Sequence, residues 1–150
     1  MKYDWNKITQ LSDMTSFEET QEFEKMVWDF VAQKENTVLE KLLNFFDDNC
    51  EYDEVMFSII HAIETYDDDI YVKCILNNLY KIFKKSPHWG TVILYRIWNH
   101  DNCFNIFKKN IYLSNQEALF QILDLMAKES PDRLQLIDEL KEERKKFSSH

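Results

Sequence analysis

Residues 15–34 read TSFEETQEFEKMVWDFVAQK, and this stretch decides the fold. Thr15 and Glu18 stand at capping-box spacing, where the hydroxyl accepts the Glu18 N–H and the carboxylate reaches back. Behind that start, Phe23, Met26, Val27, Phe30 and Val31 recur at three- and four-residue intervals, one face of an α-helix. The same grammar continues outward. Thr37 and Glu40 open a second helix, with Leu39, Leu42, Leu43 and Phe46 inward. Asp53 caps a third over Met56, Ile59, Ile60 and Ile63, and Asp69 a fourth over Val72, Ile75, Leu76, Leu79 and Phe83. Ser86-Pro87 starts a fifth, since Pro at the first helical position gives up no needed hydrogen bond, and it runs through Val92, Ile93, Ile97 and Trp98. A short turn is expected over 103–109. Ser114 with Glu117 then opens a long helix to about Lys128, and Ser130-Pro131 the last, ending near Phe147.

Composition agrees. One Gly and two Pro in 150 residues are too few for the turns of sandwiches, barrels or doubly wound sheets. The 45% apolar and 15% aromatic content is too rich for a disordered chain. The expected fold is all-α: about seven to eight helices over a single domain, 1–150, as stacked antiparallel hairpins of the HEAT or armadillo kind. The paired helix starts recur every ~30–40 residues, the period of such arrays. A compact helical bundle is the alternative.

The formal charge of −9 is unevenly placed. Residues 1–70 hold 5 basic and 18 acidic side chains, and residues 71–150 hold 13 and 9. An acidic half therefore precedes a mildly basic one. Such a front half repels nucleic acid and attracts a basic protein. No apolar run approaches the ~18 residues of a membrane span, and Met1-Lys2-Tyr3-Asp4-Trp5 has no apolar signal-like segment. Cys50, Cys74 and Cys103 are unpaired by spacing, as in a reducing compartment. The expectation is a cytoplasmic protein without nucleic acid or membrane as partner.

Catalytic chemistry finds little footing. His61, His88, His100 and His150 have no i,i+4 partner for a zinc helix, and His61 reads as a hydrogen-bonded packing residue beside an inward stripe. The oxygen-rich run from Asp47 to Glu54 lacks the Gly and the twelfth-position Glu of a calcium loop. There is no GxSxG and no Gly-rich phosphate loop. Cys103 follows His100 closely enough to approach it, but reads as a core thiol. Hence no enzyme, no catalytic residue, no cofactor and no metal are expected.

Asp67-Asp68-Asp69, flanked by Tyr66 and Tyr71, is the most concentrated charged feature. One Asp suffices for a helix cap; three beside aromatic rings also suit a protein-binding surface. If helices alternate up and down, the loops at Glu35-Asn36, at 66–69 and at 99–102 share one edge. The candidate contact set is Tyr66, Asp67, Asp68, Asp69, Tyr71, His100 and Asp101. Asp47, Asp48, Glu51, Asp53 and Glu54, on the opposite edge with Lys84-Lys85, form a second candidate. Trp89 reads as core or as an added anchor, and Arg96, on a mainly apolar helix, as a structural ion-pair partner.

Ile60-His61-Ala62-Ile63-Glu64-Thr65-Tyr66 with Tyr71, and Ser86-Pro87-His88-Trp89 with Leu94-Tyr95-Arg96-Ile97-Trp98-Asn99, resemble segments of small helical immunity proteins. These belong to bacterial polymorphic-toxin and contact-dependent growth inhibition systems. The resemblance spans roughly residues 39–140. It implies an antitoxin role: stoichiometric, electrostatically steered binding of a cognate toxin domain, often a basic nuclease such as a tRNase, with no chemistry. A helical-repeat adaptor for another basic protein or peptide is the alternative function.

Overall fold

A computed structural model describes residues 2–147; His150 lies outside them. The described chain is all-α, with ten α-helices where seven to eight are expected: α1 (Trp5–Leu11), α2 (Phe17–Val31), α3 (Asn36–Leu42), α4 (Asp53–Ile63), α5 (Asp68–Asn77), α6 (Leu79–Lys85), α7 (Pro87–Trp98), α8 (Asp101–Lys109), α9 (Gln116–Glu129) and α10 (Leu134–Lys145). Short 3-10 turns follow α3, α8 and α9.

Three local causes account for the extra helices. Asp4 accepts the Lys7 N–H at 3.0 Å and starts α1, which buries Ile8 and Leu11. The expected fourth helix divides at buried Asn78, whose side-chain amide donates to the Cys74 carbonyl at 2.8 Å and competes with the regular ladder. The expected turn over 103–109 is helix α8, because the His100 imidazole accepts the Cys103 N–H and caps it. The α2 start is shifted by one residue: Ser16 Oγ accepts the Glu19 N–H, and the Glu19 carboxylate takes both the Thr15 N–H at 2.8 Å and its hydroxyl at 2.7 Å. Those two bonds hold the Glu19 carboxyl below its ordinary range.

α2 packs on α4 and on α1, α3 on α5, α5 most extensively on α8, and α6 and α7 on α9, with α10 closing over α9. The inward stripes of α2, α4, α5 and α7 fuse into one core, in which Phe23, Val27, Ile59, Ile60, Ile75, Leu76 and Ile93 lose all exposure. Each such side chain contributes about 1.5–3 kcal/mol. α5 and α6 together carry the chain from the edge where Tyr66 meets Glu35 to the one where His88 meets Asp48. The break at Asn78 therefore adds a helix without reversing the chain, and the loops still alternate between edges.

Candidate functional site

The loops after α2, α4 and α7 meet at one edge, as the alternation predicts. The Tyr66 hydroxyl donates to the Glu35 carbonyl at 2.8 Å, and Lys34 Nζ donates to Thr65 Oγ1 at 2.6 Å. Lys34 takes a left-handed backbone (φ 54°) to end α2, a conformation costing a non-glycine residue about 1 kcal/mol. Its ammonium also lies 5.5 Å from the Tyr66 ring centre. The third loop joins through α8, where Asn102 Nδ2 donates to Asp68 Oδ2 at 2.8 Å. Between them the Arg96 guanidinium grips Glu64 with two bonds of 2.7 and 2.8 Å, the structural ion pair expected of it.

The aspartates divide their work. Asp67 is the N-cap residue of α5, yet its side chain makes no capping bond and stands exposed. Asp68 is half-buried against Asn102, and exposed Asp69 pairs with Lys73 one turn on at 3.2 Å. Asp101 is exposed in the first turn of α8, beside exposed His100. All four acids lie near helix N-termini, where the partial positive charge of the peptide dipoles favours them.

Tyr66 and Tyr71 correct an expectation. Their rings are 4% and 2% exposed, so neither is a surface anchor in this conformation. Tyr71 sits on the inward stripe with Val72 and Ile75, while Tyr66 is drawn beneath the edge by its bond to Glu35. Burial pushes the Tyr66 phenol up to about 12 and that of Tyr71 higher still. Trp89 is likewise core, edge-on to Phe57 at 5.1 Å. His61 corrects the reading in the other direction: it is exposed, because Ile59, Ile60, Ala62 and Ile63 take the buried arc of α4.

Cys103 is buried and His100 exposed, as expected of a core thiol beside an edge residue. The fold still brings the two together. Polar atoms of Asp68, His100 and Cys103 lie within 4.8 Å of one another. They line a cleft of about 210 Å³ with Glu64, Tyr71, Arg96 and Ile97. Burial, reinforced by Asp68, pushes the Cys103 thiol up to about 11. Position 103 is three residues beyond 100, so the N-cap and the first turn of α8 hold the two side by side; α5 delivers Asp68 through the α5–α8 packing, which spacing along the chain does not reveal.

The opposite edge is built differently. Asp48 spans forty residues to accept the His88 N–H at 2.9 Å and the Trp89 N–H at 3.3 Å, capping α7 from a distant loop. Asp47 accepts the Asn49 N–H at 2.9 Å, and Lys85 binds the Asn44 carbonyl. Of this second candidate set, Asp47 and Asp48 are thus committed to the fold. Glu51, Asp53 and Glu54 remain exposed.

No described helix is long and apolar enough to cross a membrane. Fold and site together define a small all-helical domain that presents a polar, largely acidic loop edge. The family model described as Immunity protein 30 matches residues 10–107, about two thirds of the chain, and the chain belongs to that family. The match takes in α2, which the resemblance read from the sequence left out, and stops before α9 and α10. It supports an immunity function. No curated protein and no solved structure matches the chain.

Proposed function

We propose that this protein neutralises a cognate toxin domain by binding it stoichiometrically, without chemistry, in the cytoplasm of the cell that makes both. Family membership supports the antitoxin role. The observation that carries the binding surface is the convergence of three loops on one edge, where exposed Asp67 and Asp101 form no ion pair with any described residue. Those carboxylates are solvated, unspent on the fold and pre-positioned by helix starts.

The partner that fits is a basic surface, such as the substrate groove of a nuclease. Opposite charges accelerate encounter, which favours an inhibitor that must capture its target before turnover. Buried Tyr66 serves the edge from below through its bond to the Glu35 carbonyl, and Tyr71 packs in the core face of α5. Contact falls to Asp67, Asp68, Asp69, His100 and Asp101, and an interface of ~800 Å² per partner extends well beyond them. The test is co-expression with the toxin domain encoded immediately upstream. Survival of the host and co-purification of a 1:1 complex are expected. Growth arrest despite abundant folded protein contradicts the reading, as does the lack of a toxin-like neighbour.

A further inference from the structure

The Asp68–His100–Cys103 cleft joins two residues of the binding edge, Asp68 and His100, to a buried thiol that the edge does not use. A carboxylate oxygen, an imidazole nitrogen and a thiol sulfur lie within 4.8 Å of one another, about 1 Å wider than the ~3.3–3.8 Å ligand–ligand spacing around a tetrahedral ion with bonds of ~2.0–2.3 Å, a gap that side-chain rotation closes. Oxygen, nitrogen and sulfur together select a borderline-soft divalent cation over calcium or magnesium. A second, independent observation points into the same cleft. Tyr71 lines it and is 2% exposed, and its hydroxyl, within electrostatic reach of Glu64, Cys103, Arg96 and Asp68 on the same wall, has no hydrogen-bond partner among the described residues. A buried hydroxyl left alone costs about 1–3 kcal/mol, so such groups are seldom left without a ligand or water.

We infer that this cleft is a zinc site, with Asp68, His100 and Cys103 as protein ligands and a water in the fourth position that hydrogen-bonds the Tyr71 hydroxyl. Asn102 already orients the Asp68 carboxylate through Oδ2, the outer-shell support that metal-binding carboxylates receive. Arg96, the cation on the same wall, is offset by its two bonds to Glu64. On binding, the Cys103 S–H bond breaks, a sulfur–zinc bond forms and the proton leaves to solvent. Dication, thiolate and Asp68 then sum to zero charge. His100 gives up its 3.3 Å acceptor bond to the Cys103 N–H: ligation through Nδ1 uses that lone pair, and ligation through Nε2 moves the ring proton to Nδ1. The ion would tie the start of α5 to the start of α8, directly beneath the acidic edge. This inference rests on the cleft alone and stands or falls apart from toxin binding.

The test is titration of the reduced, metal-free protein with Co²⁺ followed by Zn²⁺ displacement. One Co²⁺ per chain is expected, with a thiolate-to-cobalt charge-transfer band and tetrahedral ligand-field bands that Zn²⁺ abolishes. Cys103→Ser should remove the charge-transfer band, while Cys50→Ser and Cys74→Ser should retain it. His100→Asn keeps a side chain able to cap α8 but no imidazole. It should weaken Zn²⁺ by more than the roughly 10–100-fold that loss of an outer-shell partner costs. Circular dichroism establishes that each variant is folded. The absence of a thiolate band in the reduced wild-type protein overturns the proposal, as does a band that survives Cys103→Ser.

Discussion

The Tyr66 hydroxyl and the Glu35 carbonyl, thirty-one residues apart in sequence, meet at 2.8 Å and bind the α2–α3 connection to the α4–α5 loop. The ring is buried and the bond part-buried, which limits competition from water. Tyr66→Phe keeps the packing and removes only the donor. It should cost about 1–2 kcal/mol, lowering Tm by roughly 2–8 °C in a domain of this size. Thermal and urea denaturation of the two proteins check this, and an unchanged midpoint would show that the bond does not stabilise the edge.

Asp48 makes the corresponding connection on the other edge, with a single carboxylate closing two N–H groups at the start of α7. Asp48→Ala should destabilise by about 0.5–2 kcal/mol, as N-cap losses do. Asp48→Asn, which keeps an acceptor, should lose less. Toxin binding should survive both changes, which separates this edge from the candidate contact surface.

The Glu19 carboxylate predicts an acid-side signature. Its pKa in the folded protein lies below the ordinary 4.5 because Thr15 donates to it twice, first through the hydroxyl and then through the backbone N–H. A depressed carboxylate contributes stability that is complete above its unfolded pKa and is lost as pH falls through the folded value. Wild type should therefore exceed Glu19→Gln in stability at pH 6, with the difference shrinking below about pH 4.5. Urea midpoints at several pH values measure it; a pH-independent difference contradicts the assignment.

Ile60 lies wholly inside the core, where α2 and α4 pack together. Ile60→Asp puts an unpaired charge there and should abolish folding, since such changes exceed 4 kcal/mol. Loss of helical circular dichroism reads this out.

These elements also mark how far sequence reading reaches. Stripes such as Phe23–Val27–Phe30 and starts such as Ser86-Pro87 are local, with period and cap within a few residues of each other, and they fix the class as all-α. Alternation of the loops then brings Glu35, Tyr66 and Asn102 to one edge before any coordinate is known. What stays hidden is set by partners distant in the chain. Asp48 looks like part of an acidic run until His88 and Trp89 are beside it. Tyr71 looks like an exposed aromatic until α5 turns its Val72–Ile75 face inward. The Asp68–His100–Cys103 cluster needs the packing of α5 on α8, which no spacing rule encodes.

Calorimetric titration of the cognate toxin domain at two salt concentrations decides whether the acidic loop edge carries toxin recognition. The comparison sets wild type against an Asp67→Lys, Asp69→Lys, Asp101→Lys triple variant. Wild type should bind tightly at 1:1, and the binding should weaken with salt, as charge steering does. The folded triple variant should bind at least about 10-fold more weakly, a loss of ~1.4 kcal/mol. Equal affinity and equal salt dependence for the two proteins would contradict the account and move recognition off this edge.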